Sequence, residues 1–336
     1  MNMNSTVTRK GLLLFALILV LIATGCGAKS SGSIIEGKVN VVTSFYPIYE
    51  FAKEIGGEDV NAINLLPVGV EPHDWTPRSQ DIVNTSKAQL FLYNGAGLEG
   101  WVPNFLKGLD SESGVQAVEV SKGIDLIMTD EEDEHGHGAN EAADEHDSEG
   151  VTNEDHTDAG DSLHTDPHTW VSPKSAIVMA ENIKNSLQKA DPAHKEGYEE
   201  RYNVLADRLK NLDSKFVEEL GKLPNKEIVV SHQAFAYLCR DYGLTQHAIM
   251  GLSPDAEPRS QDIVDLANTV KEEGIRYIFF EELVSDKLAK TLANEAGVST
   301  MVLNPVEGLT EDQAKANDDY FTLMEKNLQN LILALK

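Results

Sequence analysis

Seven consecutive residues of this chain occur twice, letter for letter. Pro77-Arg78-Ser79-Gln80-Asp81-Ile82-Val83 returns as Pro258-Arg259-Ser260-Gln261-Asp262-Ile263-Val264. Each copy opens an amphipathic stretch of helical spacing, and each is followed by a strand-like apolar run, at 88–93 and at 276–280. A duplicated segment in a duplicated context restricts the chain to two halves built from similar strand–loop–helix units. Further apolar and β-branched runs at 39–43, 60–66, 115–120, 227–230 and 300–303 alternate with helical patterns. The alternation predicts an α/β fold with mostly parallel sheets.

One helix stands apart. From 192 to 220 the residues Tyr198, Tyr202, Leu205, Leu209, Leu212, Phe216 and Leu220 recur every three or four positions and form one apolar stripe. Asp191 with Pro192 is a start signal, and Gly221 with Pro224 is a stop. At 1.5 Å per residue such a helix is about 40 Å long. It is long enough to run along both halves, although it could also lie on one of them.

The first 25 residues read as an export signal. Arg9 and Lys10 precede an apolar run at 12–23, which is shorter than the roughly 20 residues of a membrane-spanning helix. Ala23-Thr24-Gly25-Cys26 resembles a bacterial lipobox, which implies that Cys26 becomes a lipidated N-terminus and tethers the protein to a bilayer through 26–38. The other cysteine, Cys239, lies in an apolar stretch and is expected to be buried packing. The remaining organisation expected is an N-terminal lobe at 39–191, a linking helix at 192–221 and a C-terminal lobe at 222–336.

The formal charge is −27, and between 130 and 166 there are 15 Asp or Glu, five His and no Lys or Arg. Nucleic acid, which needs a basic surface, is excluded as a partner. A cation is the natural ligand. The acidic loop at 130–165, with His135, His137, His146, His156 and His164, is expected to be mobile. It either chelates metal weakly near the main site or is simply a solvated acidic segment.

The tetrad Asp/Glu-Pro-His-x-Trp also occurs twice, at Glu71-Pro72-His73-Asp74-Trp75 and at Asp166-Pro167-His168-Thr169-Trp170. Proline fixes its own φ and drives the residue before it to extended geometry, so each motif presents an imidazole from a stiffened loop. With His232 in Val230-Ser231-His232-Gln233, three imidazoles and one carboxylate suit zinc, which takes four tetrahedral N, S or O donors. Spacings of 95 and 64 residues rule out a local finger and require separate loops to converge. His73, His232 and Glu307 each follow a predicted strand, the end of an open α/β sheet where ligands bind. Trp75 and Trp170 are expected to wall the site, with Asp74 or nearby carbonyls orienting the rings. Glu281 and Glu282 are expected to serve packing or ion pairing, and His194 and His247 to be structural.

Together with Ser231-His232-Gln233-Ala234-Phe235 and Leu303-Asn304-Pro305-Val306-Glu307-Gly308-Leu309, these motifs resemble the zinc-binding lipoproteins of bacterial ABC uptake systems, the ZnuA/AdcA type. The likeness covers essentially the whole mature chain. It implies two Rossmann-like lobes joined by one long helix, with the metal in the interlobe cleft. It places the ligands on His73, His168, His232 and Glu307, with Glu71 or water as the alternative to Glu307. It further implies an extracytoplasmic monomer, lipid-anchored to the bacterial cell membrane, that hands Zn(II) to an integral-membrane permease and catalyses nothing. Three other readings compete. A manganese receptor of the same fold would carry a carboxylate where His232 stands. A surface adhesin would have no need for converging histidines. A zinc hydrolase would need an open coordination position, and the chain lacks a His-Glu-x-x-His helix.

Overall fold

The structure, a computed structural model, describes residues 32–110, 112–129, 164–255 and 258–336. The expected signal peptide 1–25, Cys26 and the loop residues His135, His137, His146 and His156 lie outside the described residues.

The first lobe runs β1 (Val39–Thr43), α1 (Tyr46–Gly56), β2 (Val60–Asn64), α2 (Ser79–Thr85), β3 (Leu90–Tyr93), α3 (Val102–Gly108) and β4 (Gln116–Glu119). Its strands pair in the order β2-β1-β3-β4, all parallel. The second lobe runs β7 (Glu227–His232), α6 (Ala236–Tyr242), β8 (Thr245–Met250), α7 (Ser260–Glu272), β9 (Tyr277–Phe280), α8 (Lys287–Ala296) and β10 (Ser299–Val302). Its order is β8-β7-β9-β10, again parallel. The two lobes therefore share one topology, with the first strand of each flanked by its second and third.

The runs Val-Asn-Val-Val-Thr, Leu-Phe-Leu-Tyr and Tyr-Ile-Phe-Phe explain the parallel arrangement. Helices cover both faces of such sheets, so near-continuous apolar strands are buried on both sides. Val41, Leu90, Phe91, Leu92, Val229, Val230 and Ile278 have no exposed surface.

Between the lobes lie a short antiparallel pair of β5 (Met128–Thr129) and β6 (His164–Thr165), a 3-10 turn at Thr169–Val171, and α4 (Pro173–Ala190). Next comes α5 (Lys195–Gly221), 27 residues long. It starts three residues later than its sequence pattern suggests, because Pro192–His194 forms a 3-10 turn. Asp191 organises that turn, accepting from the Tyr198 hydroxyl at 2.7 Å and pairing with His194 Nδ1 at 2.6 Å.

The stripe of α5 is buried from Tyr198 to Leu220 except for the half-buried Tyr202, and the helix packs against α1 and α4 as well as against α6 and α10 (Tyr320–Leu335). It thus runs along both lobes. After α9 (Glu311–Ala316), α10 returns toward the first lobe, where Tyr320 meets Phe51 edge-on at 5.0 Å. Arg208 of α5 ties the two sides together, bonding Glu54 at 2.8 Å and Asp319 at 3.2 Å. Cys239 is 5% exposed and packs in the core, where burial pushes its thiol well above the ordinary range.

Candidate metal centre

Both Pro-His motifs fold by the same local device. In the first, the Glu71 carboxylate turns back and accepts from the His73 N–H at 2.9 and 3.0 Å. In the second, Asp166 Oδ1 accepts from the His168 N–H at 2.9 Å. The acid two residues before each histidine therefore closes the turn that the proline stiffens. The shorter aspartate does more, since the same Oδ1 also lies 2.8 Å from His168 Nδ1.

His232 ends β7, and Glu281 follows the neighbouring strand β9. Adjacent strands place the two side by side, with Glu281 Oε1 at 2.6 Å from His232 Nδ1 and 2.5 Å from Ser231 Oγ. Glu281, expected to serve packing or ion pairing, does pair, and its partner is a ring of the cluster: it holds His232. The expectation that Asp74 or a carbonyl orients the rings is replaced, for two of the three, by Asp166 and Glu281. Glu282 does fill a structural role, accepting from Asn304 Nδ2 at 2.7 Å and Gln313 Nε2 at 2.6 Å.

Glu307 is presented by a strained loop. Val306, a β-branched residue with no exposed surface, has φ +60°, a left-handed conformation that costs on the order of 1–3 kcal/mol. The surroundings enforce it. Asn304 Oδ1 accepts from the Val306 N–H at 2.7 Å, and Asn327 brackets Asn304 with bonds of 2.8 and 2.6 Å. From the opposite side, Trp170 Nε1 donates to the Pro305 carbonyl at 2.7 Å. Trp170 also packs against the His168 ring, at 5.4 Å between centroids, whereas Trp75 meets Trp101 at 5.6 Å. The second tryptophan walls the site, and the first braces its own lobe.

These loops bring His73, His168, His232 and Glu307 together, with one donor atom from each within 4.8 Å of the others. The Nε2 atoms of His73 and His232 each lie 3.2 Å from that of His168. Glu307 Oε1 is 3.5, 3.4 and 3.7 Å from the Nε2 atoms of His73, His168 and His232. Zinc bonded at 2.0–2.1 Å to four tetrahedral donors requires edges of about 3.3 Å, and the five edges that involve His168 or Glu307 are already close to that spacing. Glu307 Oε1 is buried with no hydrogen-bond partner. Such an orphaned anionic oxygen is costly unless a cation completes it. Glu71 stands farther off, 4.0 Å from His73 Nε2, and its carboxylate is engaged with the backbone.

Electrostatics follow from burial and these contacts. Burial pushes His73 down. Burial also acts to lower His168, but Asp166 outweighs it and holds the ring up at about 10. The same contest, with Glu281 as the carboxylate, leaves His232 raised. Burial acts to raise Glu307, yet the neighbouring His168 and His73 imidazoles draw it well below the carboxylate range. Glu71 is pushed up to about 7 by burial and by the charge of Glu307. The remaining described histidines stand apart from the cluster. His194 is exposed beside Asp191, His247 pairs with Glu227 at 2.8 Å, and His164 sits in β6.

A family model described as the zinc-uptake complex component A, periplasmic, matches residues 41–334. The zinc-binding protein AdcA of Streptococcus pyogenes serotype M3 is 41% identical over 325 residues, which is 97% of this chain and 61% of AdcA. The chain thus spans less than two thirds of the streptococcal relatives it matches. The high-affinity zinc uptake system protein ZnuA of Bacillus subtilis is 39% identical over 96% of both chains. Among solved structures, the Zn(II)-bound ZnuA-like domain of Streptococcus pneumoniae AdcA superposes with a TM-score of 0.71 at 37% identity, covering 89% of this chain and 99% of that domain.

Proposed function

This chain belongs to the ZnuA family of zinc-uptake complex components, and on that premise we propose that it is the extracytoplasmic receptor of an ABC zinc importer. Zn(II) is its cargo, taken by Nε2 of His73, His168 and His232 and by Oε1 of Glu307. The observation that carries this reading is the convergence of those four atoms, one of them a buried carboxylate oxygen left without a hydrogen-bond partner.

Asp166 and Glu281 hold Nδ1 of their rings, which fixes the tautomer with the Nε2 lone pair facing the ion and raises its basicity. Three imidazoles and one carboxylate favour zinc over manganese, which prefers oxygen. Four protein donors fill a tetrahedral shell and leave no position for a hydrolytic water, so the protein binds and delivers without catalysing a reaction.

His73 has a 10% exposed side chain, against at most 2% for the other three ligands, so zinc enters and leaves past its loop. With α5 and α10 packed along both lobes, release proceeds by displacement of that loop and not by wide opening of the cleft. The lobes are 39–191 and 222–336, linked by 192–221. Cys26 carries the lipid anchor, and the protein works as a monomer at the membrane surface.

Metal analysis and competition titration of the mature chain test this reading. Alanine at His73, His168, His232 or Glu307 lowers zinc affinity by roughly a hundredfold or more, as loss of one of four ligands to a tightly held ion requires. His194→Ala leaves it unchanged. Stoichiometric zinc binding that survives any two of the histidine replacements would refute the assignment.

A further inference from the structure

The two residues before His168 present two carbonyls in a row, and each is taken by a different lobe. Tyr237 of α6, with no exposed surface, donates its hydroxyl to the Asp166 carbonyl at 2.7 Å. Asn94, buried just past β3, donates Nδ2 to the Pro167 carbonyl at 2.8 Å. Its Oδ1 accepts from the Thr169 hydroxyl at 3.0 Å, so Asn94 holds the chain on both sides of His168. Neither residue belongs to the donor cluster.

Tyr237 also interrupts a ladder. β5 and β6 pair Met128 with Thr165 and Thr129 with His164, and one step further the register sets Ile127 opposite Asp166. The Asp166 N–H donates to the Ile127 carbonyl at 2.9 Å, which is one half of a hydrogen-bonded antiparallel pair. The other half would run from the Ile127 N–H to the Asp166 carbonyl. The tyrosine hydroxyl stands in its place, accepting from the Ile127 N–H at 3.1 Å while it donates to Asp166. The strand pair therefore opens at Asp166, where the chain turns toward His168.

Both grips are fixed to their own lobes. Tyr237 lies five residues after His232. The link between them is pinned by the Gln233 N–H on the Gly251 carbonyl at 2.9 Å and the Phe235 N–H on Gln246 Oε1 at 3.1 Å. On the other side, the Asn94 N–H donates to Glu99 Oε1 at 2.8 Å. The same oxygen accepts from Ser44 Oγ at 2.6 Å, which joins the ends of β1 and β3. Folding asks only that each buried carbonyl find a donor. Donors drawn from opposite lobes also fix where the backbone of Asp166 stands, and Asp166 Oδ1 in turn holds the N–H and Nδ1 of His168.

We propose that Tyr237 and Asn94 are joint positioning residues for His168. Its Nε2 stands 3.2 Å from those of both His73 and His232 because each lobe grips one of the two carbonyls before it. In taking zinc as the ion, this inference rests on the uptake reading above.

Zinc competition titration of the full chain tests it, with Tyr237→Phe, Asn94→Ala and the double variant. Tyr237→Phe keeps the ring and lets the ladder close. Each single change should lower zinc affinity about tenfold, the low end for loss of a group that orients a ligand. The two side chains share only the His168 segment, and freeing it at one end already releases the ring. The double variant should therefore fall no more than about threefold below the weaker single one, where independent effects would multiply to about a hundredfold. Ser172→Ala removes a different bond to α6, that to Asp241 Oδ2 at 2.5 Å, and should leave zinc affinity unchanged. In the zinc-loaded protein, the His168 Nδ1–H proton resonance, assigned through Asp166→Asn, should move upfield in Tyr237→Phe as its bond to Asp166 weakens. That signal and the single variant's affinity suffice even if Asn94→Ala does not fold. Wild-type affinity and an unmoved resonance in Tyr237→Phe, or a fully multiplicative loss in the double variant, would overturn the assignment while leaving the uptake reading intact. Absence of zinc binding by the unaltered chain would bring down both.

Discussion

Replacing Glu281 by glutamine tests whether a residue that never touches the ion governs its affinity. The side chain is 3% exposed, and its Oε1 receives both His232 Nδ1, at 2.6 Å, and the Ser231 hydroxyl, at 2.5 Å. Glutamine keeps the shape and an acceptor oxygen but removes the charge that strengthens the Nδ1–H bond. Loss of such a partner typically lowers metal affinity by about 10–100-fold, equivalent to roughly 1.4–2.7 kcal/mol.

The same substitution also weakens proton binding, because Glu281 is what raises His232 against the effect of burial. In the raised state a proton competes with zinc below the ring's pKa, and that competition disappears as the ring becomes neutral with rising pH. Removing the charge therefore costs more affinity at the higher of two pH values, about 8, than at the lower, about 6, where the lost competition offsets more of it. Competition against a chromophoric chelator at both pH values measures the effect. Co(II) substitution checks that the site stays tetrahedral. An affinity within twofold of wild type at the higher pH, or a larger defect at the lower one, would refute the reasoning.

Zinc loading should release protons from about pH 7 to 9, since His168, held up at about 10, is protonated there without metal and must be neutral to bind. Calorimetry in buffers of different ionisation enthalpy reads that release, which should shrink in Asp166→Asn. Trp170→Phe removes the bond to the Pro305 carbonyl and leaves space around Phe45. It should cost about 2–4 kcal/mol in denaturant unfolding and loosen zinc by releasing the Glu307 loop. Arg208→Ala breaks partly exposed ion pairs to Glu54 and Asp319 and a cation–π contact with Phe321. It should lower stability by about 1 kcal/mol without altering zinc affinity, because the residue lies away from the site.

Sequence alone carried a good deal of this protein. Apolar runs long enough for buried strands, alternating with helical periodicity, specified parallel α/β lobes, and the repeated heptad marked the shared crossover before any pairing was known. Proline beside histidine singled out His73 and His168, because its rigidity is a local property. His232 and Glu307 were legible from their places just after predicted strands. The length of α5 could be read from its stripe, but whether it served one lobe or two could not. That depended on α10 returning to pack beside it.

Tertiary structure alone decided which carboxylates hold the rings. Among 55 Asp and Glu, nothing local distinguishes Glu281, whose role comes from the pairing of β9 with β7 far along the chain. Asp166 was visible in its motif, but the reach of its side chain to Nδ1 depends on a rotamer. The strain at Val306 and the bond from Trp170 to Pro305 likewise have no sequence signal. A backbone angle held by Asn304 and Asn327, and a contact between residues 135 apart, exist only once packing has brought the segments together.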